Sequence, residues 1–295
     1  MRARALAPGK VNLCLLLGGT RADGRHELVT LFESLSLADE LTLKTQASGA
    51  DHVICAGVEG PNLVAAAIAG LREHGWDGPP VRVEVHKRIP VAAGMGGGSA
   101  DAACALRLAA AVAPLPDAAV IAELAASLGA DVPSQLQPGL VVGTGAGERV
   151  EPVAPIVPHS LVIVPLSAAL STPAVYAEAD RLGLSRSAEE LCDGLGRLRA
   201  ALAAGAGPPE ELLRNDLEVA ARSLCPEIEP ALVAVAALGA DHVFVSGSGP
   251  TVAGLFWEDA ANRASEAAAA LAGRYPGAVA ATPVEAAFGA VTALP

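Results

Sequence analysis

The 295 residues carry a formal net charge of −12, and 52% of them are hydrophobic while only 3% are aromatic. Such an acidic balance excludes nucleic acid and anionic membrane as bulk partners, and the apolar content points to a core of Ala, Val and Leu. The five cysteines are odd in number, widely spaced and without a C-x-x-C pair, which excludes a disulfide or zinc framework and fits a reducing cytoplasm.

In chain order, the opening "MRARALAPGK" has no apolar signal-like run, and no stretch of about 18 charge-free apolar residues reads as a membrane span. The expectation is a soluble cytoplasmic protein, monomer or homodimer, with no membrane and no nucleic-acid partner. Leu6 to Leu17 reads as a strand, as do "LVTLFESLSL" and "DELTLKT". "PNLVAAAIAGLREHG" reads as a helix stopped by Gly75. Val81, Val83 and Val85 alternate with polar residues, as in a half-buried strand. After the glycine-rich stretch that follows, "PDAAVIAELAASLGADVPSQL" reads as a helix ending at Gly129 and a short loop, and "GLVVGTGAGERVEPV" as a hairpin. Pro152, Pro155 and Pro158 mark the best domain boundary. Beyond it, "SLVIVPL" and "HVFVSGSGPTVAGLFW" read as strands, with helices expected over 173–183, 188–204, 209–222, 228–238 and 259–273. The expected class is α+β in two domains, 1–155 and 156–295, with a ligand site between them.

The stretch "IPVAAGMGGGSADAACALRLAA" places its glycines between a strand and an alanine-rich helix, with Ser99 as a candidate N-cap and Asp101 in the first turn. Strand, glycine loop and helix N-terminus form a layout for holding an anion, because free N–H groups and the helix dipole point at one spot. A plain tight turn is the bland alternative. A Walker A loop is excluded, because Gly98 is followed by Ser99 and Ala100 rather than lysine. A dinucleotide fingerprint is excluded too: Gly94 and Gly96 fit, but Ser99 stands where the last glycine should be.

Three segments, "PGKVNL", the glycine loop and "SGSGPT", occur in the order and type of the GHMP kinase superfamily, which the chain resembles. "APGKVNLCLLLGGTRADGRHEL", "PVAAGMGGGSADAA", "LGADVP", "RNDLE" and "VSGSGPT" are similar to the 4-diphosphocytidyl-2-C-methyl-D-erythritol kinases within it. The resemblance runs over nearly the whole chain. It implies a two-domain GHMP kinase fold, with a ferredoxin-like second domain and the active site in the cleft between them. It also implies transfer of phosphate from ATP, with Mg2+ brought by the nucleotide, to a small molecule carrying a cytidine diphosphate. A GHMP kinase of homoserine or mevalonate type, or a non-catalytic sensor on the same fold, stand as alternatives.

The resemblance also implies roles for residues. Asp131 matches the catalytic aspartate that takes the proton from the attacking hydroxyl, although an Asp after Gly-Ala is otherwise commonly a turn residue. Lys10 matches the lysine beside that aspartate. Pro90, Val91, Ala92, Ala93, Gly94, Met95, Gly96, Gly97, Gly98, Ser99 and Ala100 match the ATP loop. Ser246, Gly247, Ser248 and Gly249 match the third motif, which supports that loop and also reads as a β-turn. Asn12, Arg25, His26, Thr172 and Tyr176 match substrate-binding positions. Where the family has a "DGYH" segment that reads and stacks on cytosine, this chain has Asp23-Gly24-Arg25-His26, so a guanidinium replaces a tyrosine. No metal-binding residues of the protein's own are expected.

Overall fold

The computed structural model describes residues 1–58 and 60–295. Among the described residues, strands form two sheets, one of seven strands and one of four. The first sheet is built on two long antiparallel strands, β1 (Arg2–Thr20) and β2 (His26–Thr45). The sequence reading found only the middle of β1 and divided β2 in two. Both run unbroken because they pair with each other along nearly their whole length, and their middles are covered on both faces, so that Lys10, Asn12 and Thr30 stand inside.

β2 has two further partners. Its second half, Glu40 to Thr45, pairs with β4 (Val81–His86), and β3 (His52–Cys55) lies parallel to β4. Its first half, Leu28 to Glu33, pairs with β5 (Leu140–Gly145), which forms the expected hairpin with β6 (Arg149–Val153). The register of β1 on β2 slips between Pro8 and Lys10 and again between Asn12 and Cys14. Proline cannot donate to a ladder, so an irregularity at Pro8 is expected. Bulges of this kind re-aim side chains, and these two bracket Lys10 and Asn12, which share one face at spacing two.

Helices α1 (Leu63–Glu73), α2 (Gly97–Ala110) and α3 (Ala118–Leu128) cover this sheet. Every residue of α2 from Ala100 to Leu106 is buried, as are Leu108 and Ala109. The alanines let its backbone sit close to β1 and α1, the packing that the composition foreshadowed. A one-turn helix, α4 (Val132–Gln135), follows α3 directly after Asp131.

The chain leaves the first sheet at Val153 and enters the second at β7 (Ser160–Val164). There follow α5 (Thr172–Leu182), α6 (Ala188–Ala203), α7 (Glu218–Leu224), α8 (Ile228–Ala236), β8 (His242–Val245), β9 (Val252–Phe256), α9 (Ala260–Leu271) and β10 (Val279–Ala281). The strand order β10-β7-β9-β8, with every neighbour antiparallel, is that of a ferredoxin-like split βαβ unit. In β7, Val162 and Val164 face the cluster under α8 and α9, whereas Leu161 and Ile163 face residues of β1 and β2. A strand buried on both faces reads as an unbroken apolar run, which explains "SLVIV". The final strand, β11 (Thr292–Leu294), returns to pair with β1 in the first sheet. No helix among the described residues is long and apolar enough to cross a membrane.

One expected helix is replaced. Over 209–222 the structure has a short 3-10 turn at Glu210–Leu212 and then α7 from Glu218. Between them the backbone also bonds to β1: Leu15 N–H donates to Arg214 O, and Asp216 N–H donates to Leu15 O. Asn215 Nδ2 donates to the carbonyls of Val245 and Gly247, which ties this segment to the "SGSGPT" turn.

Candidate active site

The Lys10 ammonium is the hub of the site. It is 4% exposed and donates to Asn12 Oδ1 at 2.8 Å and to Gly94 O at 3.2 Å. It stands 3.4 Å from Asp131 Oδ2 and 5.6 Å from the centre of the Phe32 ring. Asn12 Nδ2 in turn donates to Thr30 Oγ1 at 2.8 Å, and Thr30 donates to Cys14 O at 2.7 Å. Each polar group behind the lysine therefore has a partner, as buried polar groups require. Asp131 precedes α4 with its side chain 31% exposed, so one face of the carboxylate meets Lys10 and the other is open to a ligand. Burial pushes the Tyr176 hydroxyl pKa above its ordinary value, and the negative charge of Asp131 adds to this.

The glycine loop adjoins this pair. Lys10 N–H donates to Met95 O at 2.9 Å, which pins the loop to β1. Ser246 Oγ also donates to Gly94 O, at 3.1 Å. Gly94 has φ +75°, and a Cβ there would stand 2.4 Å from Ser246 O, so the junction of loop and third motif admits no side chain. The N-cap of α2 is Gly96 in the left-handed region with φ 65°, not Ser99, which lies inside the first turn. Ala100 N–H makes the bond to Gly96 O, so the N–H groups of Gly97, Gly98 and Ser99 precede the first intrahelical bond. They present the positive end of the helix dipole to whatever lies before them.

A single cavity of about 1060 Å³ collects most of the expected site residues. Lys10, Asn12, Arg25, His26, Asp131, Thr172, Tyr176, Gly247, Ser248 and loop residues 90–99 all line it. Three expected residues lie behind the lining. Ala100 is buried in α2, Ser246 bonds the loop from beneath, and Gly249 closes the turn by donating to Ser246 O. Thr172 Oγ1 and Ser248 Oγ are 3.0 Å apart, joining the start of α5 to the third motif. Arg25 is exposed at the rim, with its backbone N–H bonded to Asp23 Oδ1.

The cavity has members that the sequence reading did not single out. Lys87, at the end of β4, bonds both Asp39 and Asp101, the latter at 2.7 Å. Burial pushes the Asp101 carboxyl up to about 7 against the pull of Lys87, and its Oδ1 has no hydrogen-bond partner among the described residues. At the other end, His26 Nε2 lies 2.7 Å from Asp180 Oδ1, and the His26 and Tyr176 rings pack at 5.0 Å. Asp180 follows Tyr176 by four residues on α5, a spacing that puts both on one helix face and was the available signal. Lys87 offered only its place at a strand end before the glycine loop.

Comparison with known proteins places the chain in a family. Residues 62–139 match the family described as "GHMP kinases N terminal domain", and residues 195–274 match "GHMP kinases C terminal". The chain is similar to the 4-diphosphocytidyl-2-C-methyl-D-erythritol kinase of Nocardia farcinica, with 41% identity covering 90% of this chain and 88% of that protein. Its similarity to the enzyme of the same name from Thermobifida fusca is 42%, covering 90% and 89%. A crystal structure of 4-(cytidine 5'-diphospho)-2C-methyl-D-erythritol kinase superposes with TM-score 0.77 and 35% identity, covering 95% of this chain and 98% of that one. A homoserine kinase from Cytophaga hutchinsonii reaches TM-score 0.75 at 16% identity, a likeness of fold alone.

Proposed function

This chain belongs to the 4-diphosphocytidyl-2-C-methyl-D-erythritol kinase family of GHMP kinases, and we propose that its cleft transfers phosphate from ATP to the 2-hydroxyl of that cytidine compound. The protein is an ATP-dependent small-molecule kinase of isoprenoid precursor biosynthesis by the non-mevalonate route. The observation that carries the mechanism is the Lys10–Asp131 pair at 3.4 Å, set beside the start of α2 in one cavity.

The nucleotide end suits an ATP phosphate chain. Free N–H groups open α2, and among the described residues a Cβ on Gly98 would meet only Leu63 Cδ1, at 3.6 Å, so a ligand has room beside the backbone there. ATP supplies the phosphoryl group, and magnesium carried with it neutralises phosphate charge. Asp131 accepts the proton of the substrate hydroxyl as its oxygen bonds the γ-phosphorus and the bond from that phosphorus to the bridging oxygen breaks, with ADP leaving. Lys10, held by Asn12 and Gly94, keeps that carboxylate in place and presents positive charge to the reacting oxygens. Little covalent work falls to the protein, so positioning and charge dominate.

His26, Tyr176 and Arg25 form the cytidine end, with Thr172 supporting it through Ser248. We take residues 1–155 and 156–295 as the two functional units, with the last strand crossing back, and the cytoplasm as the compartment. A homoserine or mevalonate reading leaves the His26 end of the cavity without a role, and a sensor has no use for a lysine-buttressed carboxylate.

A coupled assay of ADP release tests the reading. With ATP and magnesium, the cytidine substrate should give ADP and one new phosphomonoester by phosphorus NMR, while homoserine and mevalonate should give at most a hundredth of that rate. Equal turnover of homoserine or mevalonate would overturn it.

A further inference from the structure

We propose that Asp180 is a positioning residue that fixes the tautomer of His26 and so sets the preference of this site for an amino-pyrimidine over an oxo-pyrimidine. The inference rests on the reading of the His26 end as the base pocket. What it adds is the residue that decides which base is read.

His26 is 7% exposed at the start of β2, and its ring lines the cavity beside Tyr176. Its Nε2 lies 2.7 Å from Asp180 Oδ1, with Thr20 Oγ1 more distant at 3.4 Å. A carboxylate oxygen accepts, so the proton of a neutral imidazole sits on Nε2. Nδ1, which has no hydrogen bond among the described residues, then carries the lone pair. Which nitrogen of a histidine is protonated is set by the bond that the other one makes. A lone pair accepts from the exocyclic amine of cytosine and meets the carbonyl oxygen of uracil as another acceptor. Discrimination built on a hydrogen bond is strong, because the wrong base leaves a polar group unpaired.

Asp180 needs no contact with the base for this. Its side chain, 47% exposed, lines the same cavity and reaches Nε2 of the ring, so it acts through His26. Without the carboxylate, the Thr20 hydroxyl at 3.4 Å is the remaining partner of Nε2 among the described residues, and a hydroxyl accepts or donates equally well.

The test uses Asp180→Ala, Asp180→Asn and Asp180→Glu in the full chain, with the cytidine substrate and its uridine counterpart. Long-range proton–nitrogen NMR of the free protein should show His26 protonated on Nε2 in the wild type and in Asp180→Glu, and a tautomer mixture in Asp180→Ala. The preference in kcat/KM for cytidine over uridine should fall about tenfold or more in Asp180→Ala, through KM rather than kcat, with the ATP constant unmoved. Asp180→Asn should fall between the wild type and Asp180→Ala, and Asp180→Glu should recover most of the preference. A wild-type tautomer with the proton on Nδ1, or a preference unchanged in Asp180→Ala, would overturn the assignment while leaving the kinase reading intact. An inactive wild type would overturn the kinase reading and this inference with it, and the NMR result is obtained in either case.

Discussion

Arg25 stands exposed at the mouth of the cavity, directly before His26, where the family resemblance implies a tyrosine. A guanidinium plane stacks on a base much as an aromatic ring does, a contact of roughly 1–3 kcal/mol. Arg25→Ala should therefore raise KM for the cytidine substrate about tenfold or more with the ATP constant little changed. Arg25→Tyr should stay within a few-fold of the wild type. Steady-state kinetics of both variants decide it, and a wild-type KM in Arg25→Ala would make Arg25 a solvated rim charge. At this scale the motif residues Lys10, Asn12, His26, Asp131 and Tyr176 were legible, because each sits in a short quotable segment. Asp180 was legible only as far as its four-residue spacing from Tyr176, which places it on the same helix face; its pairing with His26, 154 positions away, left no mark.

The elements around the glycine loop are held by charge as well as by packing. Lys87 at the end of β4 joins Asp39 of β2, fully buried, to Asp101 of α2, 6% exposed. Asp39 Oδ1 also accepts from the N–H groups of Arg88 and Ile89, so the turn into the loop hangs on this one carboxylate. Removing the cation from two buried carboxylates leaves uncompensated charge, and Lys87→Met should cost about 3–5 kcal/mol. Urea unfolding measures this directly, and a loss below about 1 kcal/mol would show that the triad does not hold the elements together. The same region shows where element reading succeeds and fails. The helix after the loop was plain from its alanine run, but its start was misplaced, because a glycine in the left-handed region took the cap that Ser99 was expected to fill. The helix expected over 209–222 dissolved for a different reason. Its backbone found partners on β1 and around the third motif, a tertiary pull that local propensity cannot register.

The two sheets of the molecule are joined by a shared apolar cluster and by one buried ion pair. His159, just before β7, places Nε2 2.7 Å from Glu33 Oε2 on β2, with side chains 2% and 3% exposed. Its Nδ1 donates to Val157 O, so both ring nitrogens are engaged. Burial opposes charge on this histidine, but the Glu33 carboxylate and the Val157 carbonyl outweigh it and raise its pKa above 6.5. A raised folded pKa gives stability that is complete below the unfolded value and lost as pH rises through the folded one. The wild type should therefore lose stability as pH rises from 6.5. Asp101, raised from 3.8 to about 7 by burial, contributes a loss of the same sign between those values. The His159 share is thus the difference between the wild type and His159→Gln above pH 6.5, where the variant should show the shallower slope in denaturant unfolding. Parallel curves would contradict the latch. The proline cluster and the change of pattern suggest a split into two units, but neither this joint nor the crossing back of β11 was legible. Pairings over such distances in sequence have no local signature.

The central claim is that Asp131, braced by Lys10 beside the start of α2, is the proton acceptor for phosphoryl transfer. Its most direct test is Asp131→Asn, a substitution that keeps shape and removes the base. Turnover of the cytidine substrate, read as ADP release, should fall at least about a hundredfold. ATP affinity by calorimetry should stay within a few-fold of the wild type. A near-normal rate in Asp131→Asn would remove this carboxylate from the chemistry and contradict the account.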